Sequence, residues 1–145
     1  MLMPRRLEIQ PFTKIKSFDD DRVPDGIELV LRFTDQFGDP VKAVGHMYFE
    51  LYTFKNASGE RKGDRLEFWD RTIADAKDVR LYWSRTAQMY EFPLAWTQGL
   101  PSTTGRKLIL TATYRAPWGE TLEDEYVLEL PSVEPPTAGA TTRPG

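Results

Sequence analysis

Residues 26–55 read GIELVLRFTDQFGDPVKAVGHMYFELYTFK. Ile27, Leu29, Leu31 and Phe33 alternate with Glu28, Val30, Arg32 and Thr34. That period of two is what a strand with one buried face needs. Beyond Asp35-Gln36-Phe37-Gly38-Asp39-Pro40 the odd positions are apolar again: Val41, Ala43, Met47, Phe49 and Leu51. The stretch predicts a long β-hairpin. Both arms bury odd positions, so the numbers of paired residues sum to an even value. A three-residue loop, Gln36-Phe37-Gly38, meets that condition with a type I turn and Gly38 in the left-handed region. The predicted pairs are Phe33 with Val41 and Leu31 with Ala43. Pro40 has no N–H to donate, so the ladder frays or lies on an edge there.

Upstream, Leu7 to Phe18 (LEIQPFTKIKSF) predicts a first strand that Pro11 demotes to an edge or splits in two. Downstream, Arg65 to Ile73 predicts a strand with Leu66 and Phe68 on one face and Trp69 on the other. Ala74 to Asp78 is a connector with room for one helical turn. Val79, Leu81 and Trp83 alternate as a strand would, and so do Tyr90, Phe92, Leu94 and Trp96, where Pro93 suggests an edge. A second hairpin is clear. Leu108, Leu110, Ala112 and Tyr114 face the same way as Leu122, Tyr126, Leu128 and Leu130, across the loop Pro117-Trp118-Gly119. Its register places Leu110 opposite Tyr126 and Lys107 opposite Glu129. Glu123, Glu125 and Glu129 then stand near Lys107 and Arg115, as ordinary surface charge does. Asp124 falls on the inward face, so it needs a strand end or a hydrogen bond.

Six to eight regularly spaced strands, with at most one short helical turn, predict an all-β chain. The expected architecture is a single antiparallel β-sandwich, Ig-like or transthyretin-like. Residues 1–6 read as an N-terminal extension and 7–130 as the sandwich domain. Residues 131–145 (PSVEPPTAGATTRPG) read as a Pro/Thr/Gly-rich tail or linker. The 145 residues are 40% hydrophobic, enough for a real core. The net charge of −3 is spread without a basic stripe, which argues against nucleic acid. No apolar run approaches the ~20 residues of a membrane helix. With no cysteine, disulfide and thiol chemistry are excluded.

Four features raise the question of a site. Asp19, Asp21 and Asp25 lie in an acidic loop that resembles the DxDGxPDG loops of calcium-binding extracellular repeats, without their first Gly or a downstream Glu. The commoner explanation is a solvated turn. His46, Tyr48, Glu50, Tyr52 and Phe54 occupy the even positions of residues 46–54, a face more aromatic than a solvated one needs. The commoner explanation is a central strand whose outer face is covered by a loop or by the N-terminal segment. Tyr48, Tyr52, Trp69 and Trp118 would form a stacking platform for a sugar if they were coplanar and exposed, although most aromatics in such a chain fill its core. Asn56-Ala57-Ser58 matches the glycosylation sequon, which carries meaning only in a secreted eukaryotic protein. His46 is the only histidine and no nucleophile elbow or phosphate-binding glycine loop is present. The chain therefore reads as a non-enzyme without cofactor.

The run LRFTDQFGDPVKA, residues 31–43, is similar to the strand–turn–strand signature D-x-x-G-x-P-V-x-A. That signature recurs in bacterial Ig-like and prealbumin-like (transthyretin-like) sandwiches. Pro24-Asp25-Gly26 and the run GETLEDEY, residues 119–126, resemble uncharacterised extracytoplasmic lipoproteins of planctomycete-like bacteria. The resemblance implies a non-catalytic, envelope-associated module for protein–protein interaction or scaffolding, at the periplasm or cell surface. Its partner would be another envelope protein, with a polysaccharide as the alternative. Such lipoproteins carry a lipidated cysteine that this chain lacks. A targeting segment outside the chain is then expected, or else a cytoplasmic location.

Overall fold

The structure is a computed structural model, described here for residues 3–18, 25–55, 59, 61–97 and 107–129. Asp19, Asp21, the sequon at 56–58 and the tail 131–145 lie outside the described residues. The fold is all-β: the described residues form ten strands, rather than six to eight, and one helix. One sheet has six strands: β1 (Arg6–Ile9), β2 (Lys14–Lys16), β3 (Gly26–Thr34), β4 (Pro40–Val41), β7 (Trp83–Ser84) and β8 (Met89–Ala95). The other has four, in the order β10 (Thr121–Glu129), β9 (Lys107–Arg115), β5 (Gly45–Phe54), β6 (Lys62–Ile73). The helix α1 (Ala76–Tyr82) links β6 to β7.

Residues 26–55 do not form the long hairpin their alternation suggests. Phe33 pairs with Val41 and Thr34 with Pro40, and there the ladder ends. Lys42 to Val44 then cross to the other sheet, so β3 and β5 become the buried faces of opposite layers. Leu31 pairs with Ile9 and Tyr90 instead of Ala43. The backbone of Ala43 is taken by the Tyr90 hydroxyl, which accepts from its N–H (3.1 Å) and donates to its carbonyl (3.0 Å). The Tyr114 hydroxyl donates to the Val44 carbonyl at 2.6 Å. Two buried tyrosines thus satisfy crossover backbone that a ladder no longer serves. Burial raises the Tyr90 pKa, the Ala43 backbone bond opposing it in part. Burial, followed by the Tyr90 and Glu120 charges, pushes Tyr114 up to about 12.

The turns themselves match expectation. Asp35 N–H donates to Asp39 O and Gly38 N–H to Asp35 O, with Gly38 at φ 84°. Ala116, Glu120 and Gly119 repeat the same two bonds, with Gly119 at φ 103°. Left-handed φ at that position favours glycine because a Cβ would meet the following carbonyl. The Asp35 carboxylate adds bonds from Phe37 N–H (2.8 Å) and Asp39 N–H (3.1 Å).

Pro11 splits the first strand in two, and both halves lie along β3. At the break the Thr13 hydroxyl bonds both Val30 N–H (3.0 Å) and Val30 O (3.2 Å), standing in for the missing strand. Val79 to Tyr82 are helical rather than extended. Asp75 caps α1 by accepting from Asp78 N–H, and Asp78 reaches back to Ala74 N–H at 2.8 Å.

The core lies between the sheets. Phe33, Phe49, Phe92, Leu29, Leu51 and Leu110 are fully buried. Each contributes about 1.5–3 kcal/mol of transfer energy. Phe49 meets Phe92 across the layers at 5.2 Å between centroids, and Phe33 meets Tyr114 at 4.9 Å. Both lateral seams are stitched by side chains on backbone. On one, Ile9 N–H donates to Asp124 (2.8 Å) and Tyr126 OH to Pro11 O (3.1 Å). On the other, Trp69 Nε1 donates to Ala95 O (2.7 Å) and Arg71 to Pro93 O (3.3 Å). Pro93 sits on the β8 edge away from β3, where its missing N–H breaks no ladder.

Candidate binding face

The four-stranded sheet turns one face to the core and one outward. Register sets the outward rows. His46 of β5 lies between Arg115 and Thr72, Tyr48 between Thr113 and Asp70, and Glu50 between Thr111 and Phe68. The alternation that buries Met47, Phe49 and Leu51 necessarily turns His46, Tyr48 and Glu50 away. The outward positions form a continuous strip. His46 and Tyr48 rings lie 6.3 Å apart and 25° from parallel, Tyr48 and Phe68 6.2 Å apart and 26° from parallel. Arg65 sits over Phe68 at 5.3 Å and bonds the Glu50 carboxylate at 2.8 Å. Phe68 is 43% exposed. An aromatic strip with a fixed guanidinium at one end is a surface that stacks, accepts and donates.

Beside the strip the face is charged and more closed. Arg61 and Lys62 both reach Glu125, at 3.1 and 3.6 Å, rather than Lys107 or Arg115 doing so. Lys62 also covers the Tyr52 ring at 5.2 Å, and Lys107 covers Phe54 at 5.5 Å. Beneath this network Thr111 and Ile109 are buried although they point outward. These ion pairs are exposed and each contributes roughly 0–1 kcal/mol. Their effect is to restrict open aromatic surface to the His46–Tyr48–Phe68 side.

The four residues that were candidates for a platform do not come together. Trp69 faces inward opposite Phe49, is buried, and commits its indole N–H to Ala95. Tyr52 lies under Lys62. Trp118 is 50% exposed but belongs to the turn after Arg115, which pairs with His46, whereas Tyr52 pairs with Ile109. The strand between these points measures about 20 Å at 3.3–3.4 Å per residue. Tyr48 alone of the four joins the strip, and Phe68 takes the place assigned to Trp69. Pairing parity held the missed signal: a β5–β6 hairpin matching odd to odd sets Trp69 inward opposite Phe49 and Phe68 outward.

His46 Nδ1 lies 3.0 Å from the Thr72 hydroxyl. A hydroxyl beside an imidazole is the pairing of nucleophile and base, but both residues are exposed on an open face where water competes. The Asp25 carboxylate accepts from Phe18 N–H (2.9 Å) and Ser17 OH (3.3 Å), tying the end of β2 to the start of β3. Among the described residues no three His, Cys, Asp or Glu side chains gather as metal ligands would. Among them, too, no helix is long and apolar enough to cross a membrane. A buried carboxylate that the pattern did not single out, Glu67, accepts from Thr97 N–H (3.0 Å) and Thr97 OH (2.6 Å) and fastens the end of β8 to β6. Compared with known proteins, the chain matches no protein-family model, no curated protein and no solved structure.

Proposed function

We propose that the protein is a non-catalytic, envelope-associated β-sandwich module that binds another protein through the outer face of its four-stranded sheet. The observation that carries this reading is the His46–Tyr48–Phe68–Arg65 strip. It combines exposed aromatic area with a positioned guanidinium, the residue types that dominate interface energetics. The Ig-like assignment belongs to the same proposal. The strand orders β1-β3-β8-β7 and β10-β9-β5-β6 follow the A-B-E-D and G-F-C-C′ orders of that sandwich. In the test, the tagged chain is purified from its source cells as wild type, as Tyr48→Ser/Phe68→Ser, and as Glu91→Arg on the opposite sheet. A stoichiometric protein partner is expected with wild type and Glu91→Arg and not with the double variant. Equal recovery by all three would refute the reading. For sugar binding by the same face, only Tyr48 of the four aromatic residues remains, with Phe68 beside it. Isothermal titration with soluble polysaccharides is expected to show no binding.

A further inference from the structure

Phe37 and Trp118 occupy the same position in two copies of one turn. Each is the second of three loop residues, followed by a left-handed glycine and an acidic residue. Phe37 is 69% exposed and Trp118 50%. The turns are 81 residues apart in sequence but share one end of the sandwich. Thr34, before the first, pairs with Arg6 and Pro40, and Arg115, before the second, pairs with His46 and Thr121. Between them runs the Lys42–Val44 crossover, anchored by the two tyrosine hydroxyls. Met3, also exposed, leads into β1 at the same end. Two hairpin tips, each carrying an exposed large aromatic, project rather than enclose. A convex pair of this kind fits a deformable interface better than a shaped pocket.

The charge around the tips favours one such interface. Exposed Arg5, Arg6, Lys42 and Arg115 surround them, against exposed Asp39 and Glu120. The third nearby carboxylate, Asp35, is buried and bound to backbone N–H groups. The helix α1 at the flank adds Lys77 and Arg80 against Asp75 and Asp78 and leaves the balance unchanged. Four cations thus stand against three carboxylates, a small positive excess on a chain whose net charge is −3. We infer that this end docks on an anionic lipid surface, with Phe37 and Trp118 entering the headgroup layer and the arginines and lysine meeting lipid phosphates. Tryptophan and phenylalanine flanked by cations are the residues that settle at that boundary. The inference is independent of the sheet face, which would then stand upright and accessible.

The test is co-sedimentation with vesicles of phosphatidylglycerol mixed with phosphatidylcholine, against phosphatidylcholine alone. Wild type is expected to bind the mixed vesicles, less at high salt. Phe37→Ser/Trp118→Ser is expected to bind at least ~10-fold more weakly, from the apolar area withdrawn. Both side chains stand off the core, so melting temperature should be unchanged. Should that variant not fold, brominated lipids decide on the wild-type protein, by quenching its tryptophan emission. No binding to mixed vesicles, no quenching, or equal binding by the folded double variant overturns the inference. So does vesicle-independent self-association that the double variant abolishes, which assigns the tips to a second copy of the chain.

Discussion

Tyr90 and Tyr114 hold the point where the chain changes sheets, and their chemistry makes that point sensitive to alkali. Below pH 10 the phenol is protonated in both folded and unfolded chains. Above 10.0 the unfolded chain releases the Tyr114 proton, while the folded chain keeps it until about pH 12. Stability therefore falls as pH rises through that window. Tyr114→Phe is expected to cost about 1 kcal/mol at pH 7 through the lost bond to Val44, and to show a shallower decline between pH 10 and 12. Urea denaturation at a series of pH values checks both. A variant curve parallel to wild type would show that Tyr114 does not carry the effect. Trp69 provides a second check. Trp69→Phe removes the indole bond to Ala95 and orphans a carbonyl on the seam, for an expected loss of about 1–3 kcal/mol. A surface tryptophan would cost nothing comparable.

At the scale of elements, turns were legible and partners were not. Asp35 with Gly38, and Pro117 with Gly119, encode their loops within five residues, and both registers follow from the parity of the flanking apolar positions. The crossing at Lys42–Val44 has no such local mark, because Ala43 continues the alternation that Val41 begins and Met47 resumes. Only Tyr90, 47 positions away in sequence, explains why Ala43 leaves the ladder. The helix was hidden for a related reason: Val79, Leu81 and Trp83 alternate, yet Leu81 is 70% exposed. The capping pair Asp75 and Asp78 was the better signal. Asp75→Ala is expected to lower stability by about 1 kcal/mol, with the loss of amide-exchange protection confined to α1. Thr13→Val tests the split strand. It leaves Val30 N–H and C=O without the hydroxyl, with an expected cost of about 1–3 kcal/mol in thermal or urea unfolding.

Across the whole molecule, the two sheets divide labour. One face of each supplies the core, where Phe49→Ala or Phe92→Ala is expected to cost about 3–5 kcal/mol. The outer face of the four-stranded sheet contributes little to stability, so Tyr48→Ser or Phe68→Ser should change it by only about 0.5 kcal/mol. Half of this face was readable in advance, since the alternation that buries Phe49 exposes Tyr48. The other half depends on β6, whose register turns Phe68 outward at 43% exposure, and on Lys62 lying over Tyr52. The most direct measurement places a photo-crosslinking amino acid at position 48 in the source cells, with position 91 on the opposite sheet as control. A discrete protein adduct from position 48, absent from position 91 and lost when Phe68→Ser is added, is the predicted result. No adduct from position 48, or the same adducts from both positions, would contradict a partner on this face.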